Sequence, residues 1–313
     1  MKLNMQNTAF VFPGQGSQTV GMGEELAAQY PIAKQTFDEA DSILGFALSK
    51  IMWDGPDADL NDTVNTQPAL YVHSLAAFRT FSHLFPNLTP ASMAGHSLGE
   101  LSALAAAGAF SFADGLRLVR RRGELMKHAG TLAPGGMAAI LGLDIPTLDK
   151  VCAEASAHDE LVQVANDNCP GQVVISGAKP AVERAVAGAK TAGAKRALPL
   201  AVSIAAHSPL MASIQIEWSD AVNEANFLPP QIPVIGNVYA ATLGDEAAAR
   251  ADITAQMQSC VRWTESVRLI DAQGVTNFVE VGTGTVLGGL IKRIVDGVTT
   301  HPLGTPQDFS ALD

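Results

Sequence analysis

The chain has 313 residues, which is enough for about two domains. Hydrophobic residues make up 47% of it and charged residues only 16%, a balance that predicts a sizeable core and argues against a disordered or low-complexity chain. The formal net charge of −11 at pH 7 argues against a general attraction to nucleic acid or to an anionic membrane.

Residues 1–10 contain no apolar run of signal-peptide length, and no stretch elsewhere reaches about 18 uninterrupted apolar residues. We therefore expect a soluble, cytoplasmic protein without a membrane segment. Cys152, Cys169 and Cys260 are far apart and match no spacing of metal ligands, so they are interpreted as ordinary thiols and no metal is expected.

Short apolar runs alternate with longer helical patterns from the start of the chain. The first such elements are strand 9–12, helix 26–44, strand 92–96 and helix 98–109. The alternation continues with strands at 232–238 and 277–281 and with helices around 209–226 and 286–295. This rhythm predicts an α/β fold in which helices cover both faces of a parallel sheet.

The middle of the chain follows a different order. Strands are predicted at 137–143, 161–165, 172–176 and 196–202, with helices at 145–156 and 180–192. The resulting β-α-β-β-α-β order is that of the ferredoxin-like split unit. We expect a small domain over 131–200, inserted into a larger discontinuous domain that comprises 1–130 and 201–313.

A candidate nucleophile lies where the second predicted strand meets a helix. Residues 95–99 read Gly-His-Ser-Leu-Gly, which fits the G-x-S-x-G pattern, and the strand, sharp turn and helix of a nucleophile elbow surround them. Ser97 is then exposed at a helix N-terminus, where N–H groups can meet developing negative charge. The alternative is an ordinary glycine-rich turn with a capping serine.

A serine nucleophile needs a base, and two histidines are candidates. His207 lies in a loop after a predicted strand, where α/β sheets commonly place active residues, and it is favoured over His301 near the C-terminus. His96 adjoins Ser97, but neighbouring side chains of a strand point to opposite faces. The remaining histidines are expected at the surface: His73, His83, His128 and His158.

Arg122 lies on the inward face of a predicted helix over 112–127. The apolar stripe of that helix contains Leu118, Val119, Leu125 and Met126, and Arg122 falls within it. A guanidinium on this face needs an anionic partner. The partner is either a buried Asp or Glu of the chain or the carboxylate of a substrate, and the pattern does not decide between them.

A second glycine loop, Phe-Pro-Gly-Gln-Gly-Ser-Gln at 12–18, follows the first strand. It has neither the lysine of a phosphate-binding P-loop nor the third glycine of a dinucleotide site. A backbone N–H of this loop could supply one donor of an oxyanion hole, or the loop could be a tight turn without a catalytic part.

Together these motifs resemble the malonyl-CoA:acyl carrier protein transacylases. The resemblance also includes Thr-Gln-Pro-Ala-Leu at 66–70, Arg-Gly at 122–123, Pro-Gly-Gln-Val-Val-Ile-Ser-Gly at 170–177 and Gly-Ala-Lys-Arg-Ala-Leu-Pro-Leu at 193–200. It implies a hydrolase-like parallel-sheet large domain with a ferredoxin-like insert. Its implied partners are malonyl-CoA and acyl carrier protein, and no bound cofactor is implied.

The resemblance also assigns roles to residues. It implies Ser97 as nucleophile, His207 as base and Arg122 as the clamp for the substrate carboxylate. It further implies oxyanion donors at the backbone N–H groups of Gln15 and Leu98, a base-orienting backbone carbonyl at Gln256, and pocket residues Gln67 and Asn166. The implied reaction is ping-pong transfer of malonyl through a malonyl-serine ester, which supplies fatty-acid synthesis.

Three segments depart from the family pattern. Ser-Cys-Val stands at 259–261 where Asn-Pro-Val is common, Ala-Ala precedes His207 in place of Pro-Ser, and Thr-Gly-Thr at 283–285 replaces Pro-Gly-Lys. The first leaves the geometry around Gln256 open, and the second leaves the acyl selectivity open. The third removes one basic residue that could contact an acidic carrier protein.

Other functions remain compatible with the same motifs. The chain could load malonyl groups for a polyketide pathway or a malonate decarboxylase. It could be a hydrolase with His301 as base, or an inactive protein that only docks carrier proteins.

Overall fold

The computed structural model describes residues 4–157 and 159–312. Within these ranges the strands are β1 Thr8–Phe12, β2 Ser92–Gly95, β3 Gly135–Leu141, β4 Val162–Cys169, β5 Gln172–Ala178, β6 Arg196–Pro199, β7 Val234–Ile235, β8 Thr242–Leu243, β9 Asn277–Val281 and β10 Thr299–Leu303. The α-helices are α1 Glu24–Gln29, α2 Pro31–Leu44, α3 Leu48–Asp54, α4 Asp57–Asn61, α5 Thr63–Leu84, α6 Leu98–Ala106, α7 Phe112–Leu132, α8 Ile145–Ala155, α9 Lys179–Thr191, α10 Gln215–Glu224, α11 Glu246–Gln256, α12 Trp263–Ala272, α13 Val286–Ile294 and α14 Pro306–Ser310. Short 3-10 helices cover Met5–Asn7 and Pro209–Ile214.

The larger sheet has six strands in the order β10-β9-β1-β2-β7-β8. Its pairs are parallel except for β7 with β8, which is antiparallel. Every residue of the central strand β1 is buried, which is typical of a parallel strand covered by helices on both faces. Phe12 at the end of β1 stands opposite Gly95 at the end of β2. The loops that follow these two strands therefore leave the sheet side by side.

The second sheet is antiparallel throughout, in the order β4-β5-β3-β6. Helices α8 and α9 pack on it and share a separate hydrophobic core with its strands. The chain order β3-α8-β4-β5-α9-β6 and this strand order are those of a ferredoxin-like unit. The two sheets confirm the predicted fold class.

The second sheet lies within the predicted 131–200 interval, since β3 begins at Gly135 and β6 ends at Pro199. Helix α7 runs two residues into that interval, to Leu132. The N–H of Gly135 donates to Ser203 O at 3.2 Å, which holds the entering and leaving segments together. The division of the chain into separate domains stays a prediction.

Several helices differ from the sequence prediction for local reasons. The predicted helix 26–44 is broken at Tyr30, whose backbone is extended, because Pro31 cannot continue a helix from the preceding turn but fits at the first position of a new one. The predicted helix 98–109 ends at Ala106, shortly before Gly108 with φ 79°. The predicted helix 209–226 starts as a 3-10 helix, and its α-helical part begins at Gln215.

The 22-residue helix α5 was not predicted from the sequence. It is buried on most of its circumference, so its sequence shows no single apolar stripe at helical spacing. Other elements without a prediction are α1 as a separate helix, α3, α4, α11, α12, α14, β8 and β10. Among the helices of the described ranges, none is both long enough and apolar enough to cross a bilayer.

Two glycines allow β1, β2 and α6 to pack in direct backbone contact. A Cβ placed on Gly95 would lie 1.9 Å from the carbonyl carbon and oxygen of Gly99, and one on Gly99 would lie 2.0 Å from Phe12 O. No real Cβ atom can occupy such positions, so any larger residue displaces backbone. Both glycines of the G-x-S-x-G motif are thus required by the packing of the turn on β1.

We predict that Gly95→Ala lowers the free energy of unfolding by at least about 2 kcal/mol, because the added methyl group overpacks a site with no side chain that can move. Chemical denaturation measures this loss. Gly289→Ala is the matched control, since Gly289 lies on α13 with no heavy atom within 4 Å of its added Cβ. Equal stability of the two variants would contradict the packing argument.

Candidate active site

Ser97 occupies the turn between β2 and α6 in a strained backbone conformation, with φ 52° and ψ −107°. Positive φ is uncommon for a residue with a side chain and marks the sharp turn of a nucleophile elbow. Its own N–H donates to Asn237 Oδ1 at 2.7 Å, and Asn237 Nδ2 donates to Gly95 O at 2.7 Å. One amide side chain therefore holds the backbone that leads into the turn, at Gly95 and at Ser97.

His207 is the histidine that meets Ser97. Its Nε2 lies 2.7 Å from Ser97 Oγ, and its Nδ1 lies 2.9 Å from Gln256 O and 3.1 Å from Ser259 O. Carbonyl oxygens only accept, so Nδ1 carries the proton and Nε2 accepts the hydroxyl proton of Ser97. Gln256, the expected base-orienting residue, thus contacts the base through its backbone carbonyl, and Ser259 adds a second carbonyl.

Burial keeps His207 neutral. The side chain is almost fully buried, and desolvation, reinforced by the nearby Arg122 guanidinium, lowers its pKa to about 3. A neutral imidazole with its lone pair aimed at a serine hydroxyl is the form that a general base requires.

The other histidines lie elsewhere. His301 stands opposite Val279 on the edge strand β10, three strands from β2, so the structure brings it to no contact with Ser97. His96 Nε2 faces Asn168 Oδ1 at 2.8 Å instead of the nucleophile. His83 and His128 are exposed, and His158 lies outside the described residues.

The expectation that His73 lies at the surface is wrong. It is buried on α5, and its Nε2 donates to Gly304 O at 3.0 Å. The error follows from the missed helix, because α5 packs in the interior along most of its length.

Arg122 projects from α7 into the interior and is only 1% exposed. Its Nη1 donates to Gln67 Oε1 at 3.0 Å, and its Nη2 donates to Gln256 Oε1 at 2.8 Å. Nη2 also lies 3.1 Å from Ser97 Oγ, while Nε is buried without an acceptor. Each of these partners is uncharged.

No carboxylate of residues 4–157 or 159–312 forms an ion pair with Arg122, whereas several partly exposed arginines do have such partners. The alternative of a buried ion pair therefore finds no support. Burial lowers the pKa of Arg122 to about 10, so the group remains cationic at neutral pH. The result is a desolvated positive charge beside the nucleophile that no carboxylate pairs with directly, and the electrostatic interaction with Glu100 opposes the lowering of its pKa.

The two glycine loops lie against each other, as the register of β1 and β2 requires. A Cβ on Gly14 would lie 2.4 Å from His96 O, which places the 12–18 loop directly on the elbow. Neither the N–H of Gln15 nor that of Leu98 has a hydrogen-bond acceptor among the described residues. Two unused donors in adjoining loops, one at a helix N-terminus, suit an oxyanion.

The two predicted pocket residues have different positions. Gln67 is fully buried on α5 and contacts both Arg122 and Met126. Asn166 is buried on β4, next to a register shift in the strand, and makes no hydrogen bond with Ser97, His207 or Arg122. Its role in the pocket stays a prediction.

Several residues of the site were missed in the sequence. Gln163 Nε2 donates to His207 O at 2.8 Å and to Gln258 O at 3.0 Å, which fixes the loop that carries the base. Asn237 follows β7, the strand next to β2. Its position just after a strand end could have marked it as a candidate site residue, because active residues of α/β sheets commonly lie there. Within the described part of the chain, no group of three or more His, Cys, Asp or Glu side chains could hold a metal ion.

Comparisons with known proteins agree on one family. The model of the acyl transferase domain family matches residues 9–300. The chain is 48% identical over 307 residues to the malonyl CoA-acyl carrier protein transacylase of Salmonella typhimurium, covering 98% of this chain and 99% of that protein. It is similar to the crystal structure of an acyl carrier protein S-malonyltransferase from Vibrio cholerae, with a TM-score of 0.94 and 46% identity. This match covers 98% of the present chain and 100% of the other. It is also similar to a malonyl-transacylase solved with a type II PKS acyl-carrier protein, with a TM-score of 0.93, 43% identity, and 98% of each chain covered.

We predict that His207 stays neutral as the pH falls from about 7 to about 5, since its pKa is lowered to about 3. The unfolded chain protonates this imidazole near its ordinary pKa of 6.5, so the folded state loses stability relative to the unfolded state as the pH falls from about 6.5 towards about 3. NMR of the imidazole nitrogens, assigned with a His207→Gln variant, follows the titration. A midpoint near 6.5 would contradict the burial of His207 beside Arg122.

Proposed function

The chain belongs to the acyl transferase family, and from this premise we propose that it transfers a malonyl group from malonyl-CoA to the phosphopantetheine thiol of an acyl carrier protein. The observation that carries the proposal is the buried guanidinium of Arg122, which has no ion-paired carboxylate and lies 3.1 Å from Ser97 Oγ. A buried cation beside the nucleophile selects an acyl group that ends in a carboxylate. The names of the relatives agree with this substrate and this acceptor.

In the first half of the reaction, His207 Nε2 takes the proton of Ser97 as Oγ attacks the thioester carbonyl carbon. The N–H groups of Gln15 and Leu98 hold the resulting oxyanion. Collapse of this intermediate breaks the carbon–sulfur bond, and His207 returns the proton to the sulfur of coenzyme A. A malonyl ester of Ser97 and free coenzyme A result.

In the second half, the phosphopantetheine thiol of the carrier enters the same site. His207 takes the thiol proton as the sulfur attacks the ester carbonyl. The carbon–oxygen bond then breaks, and the proton returns to Ser97 Oγ. This order gives ping-pong kinetics and regenerates the enzyme.

The malonyl carboxylate is held by Arg122 throughout. Gln67 and Gln256 hold the two terminal nitrogens of the guanidinium through their neutral amide oxygens, which leaves its charge available for a substrate carboxylate. An acetyl group would leave the buried cation unpaired, so its transition state is less stable. Coenzyme A takes part as the carrier of the acyl group, and the reaction needs no bound cofactor.

Both parts of the chain contribute to the proposed reaction. The predicted larger domain, 1–130 and 201–313, contributes Ser97, His207 and Arg122. The predicted insert over 131–200 contributes Gln163, which holds the loop that carries His207. The malonyl carrier so formed would supply fatty-acid synthesis in the cytoplasm.

We predict that radiolabel from malonyl-CoA moves to holo acyl carrier protein and not to the apo form, which lacks the thiol. The acceptor is the feature that separates a transferase from a hydrolase, so free malonate should form slowly when no carrier is present. Carrier radioactivity after gel separation and malonate in the supernatant are the measured quantities. Rapid release of malonate in the absence of carrier would overturn the assignment as a transferase.

We predict that Arg122→Ala lowers kcat/KM for malonyl transfer roughly 100-fold or more, because the substrate carboxylate loses its charged partner. Transfer of acetyl should fall much less, since acetyl makes no use of the guanidinium. Arg121→Ala is the matched control on the same helix, where the exposed side chain pairs with Glu217. Equal losses for malonyl and acetyl in the Arg122 variant would refute the clamp.

A further inference from the structure

Two acidic side chains lie side by side behind the active site. Glu100 in the first turn of α6 and Asp252 on α11 are both essentially inaccessible to solvent. The backbone N–H of Asn237 lies 3.2 Å from Glu100 Oε2 and also 3.2 Å from Asp252 Oδ2. One donor thus serves both carboxyl groups, which are in contact with each other.

The hydrogen bonds of this pair leave one oxygen of each carboxyl group without a donor. Glu100 Oε2 accepts from Gln256 Nε2 at 2.7 Å, and Asp252 Oδ2 accepts from the N–H of Val238 at 3.2 Å. Glu100 Oε1 and Asp252 Oδ1 are buried and have no donor in the described residues. Two ionised carboxylates with two bare oxygens and no ion-paired cation would be costly in this position.

We propose that Glu100 and Asp252 share a single proton, carried on Glu100 Oε1 and donated to Asp252 Oδ1, and that the pair positions Gln256 for the reaction. One proton supplies the missing donor for Asp252 Oδ1 and removes the repulsion between the two groups. Asp252 is the anion of the pair because backbone N–H groups of successive residues point at its carboxylate.

The electrostatics agree with this distribution of charge. Burial, together with Asp252, raises the pKa of Glu100 well above its ordinary value, and burial also raises the pKa of Asp252. The backbone donors at Asp252 oppose that rise. Glu100 is therefore the carboxyl group that keeps its proton at neutral pH.

Gln256 connects the pair to the reacting groups. Its Nε2 donates to Glu100 Oε2 and, at 2.9 Å, to Ser97 O, while its Oε1 accepts from Arg122. Its backbone carbonyl accepts from His207 Nδ1. A flipped amide would face Glu100 Oε2 with its oxygen and Arg122 with its N–H groups, so the acceptor at Glu100 fixes the amide in the orientation that holds the clamp.

Infrared spectroscopy in D2O and acylation kinetics test this inference. Glu100→Gln replaces the acid O–H by an amide N–H and keeps every hydrogen bond, whereas Glu100→Ala removes them. We expect the wild type to show the carbonyl band of a protonated carboxylic acid at neutral pH, and Glu100→Gln to lack it. We expect Glu100→Gln to acylate Ser97 from malonyl-CoA within about twofold of the wild-type rate, and Glu100→Ala to be slower by at least about tenfold.

Glu280→Gln is the kinetic control, because this buried carboxyl group contacts the N-terminus of α13 and not the site. It should leave the acylation rate unchanged. The inference is overturned if Glu100→Gln removes no such band, if it fails to fold, or if it acylates as slowly as Glu100→Ala. Only the kinetic measurement rests on the proposed function: a wild type that malonyl-CoA does not acylate would refute that function, while the infrared band still decides the shared proton.

Discussion

The site is organised around a buried positive charge to which the protein supplies no ion-paired carboxylate. Taking the Arg122 guanidinium out of water is costly, and the chain compensates with the amide oxygens of Gln67 and Gln256 and with one serine hydroxyl. Neutral acceptors satisfy part of its hydrogen-bonding capacity and leave it without a directly paired anion. In the proposed reaction an arriving substrate carboxylate becomes the ion-pair partner of Arg122, so substrate selection depends on this group.

The Arg122 guanidinium affects the pKa of the base His207, and Gln256 connects it to the Glu100–Asp252 pair. Arg122 contributes to the lowered pKa of His207, which keeps the imidazole neutral before substrate arrives. A bound malonyl carboxylate would offset that effect and favour the imidazolium that forms as Ser97 attacks. Gln256 links the parts, since it contacts Arg122, His207, Ser97 and Glu100 from a single position at the end of α11.

Local sequence patterns predicted the nucleophile turn and the buried arginine, but not the residues that reach the site through distant contacts. The elbow at Ser97 is a contiguous motif, and Arg122 is conspicuous because a charged residue interrupts an apolar stripe. The local sequence favoured His207 over His301 without deciding between them, because the choice depends on which loops the sheet order brings together. Asn237, Gln163 and Asp252 act through contacts over 14 or more positions and carry no motif. Helix α5 was missed because burial on most sides removes the periodicity that marks an amphipathic helix.

Intact-protein mass spectrometry after brief mixing with malonyl-CoA, without carrier protein, detects the acyl-enzyme and identifies its nucleophile in one measurement. We predict one malonyl adduct on the wild type, none on Ser97→Ala, and discharge of the adduct when holo acyl carrier protein is added. An adduct of equal yield on Ser97→Ala would contradict the assignment of the nucleophile. Absence of any adduct while malonate accumulates would contradict the acyl-transfer mechanism itself.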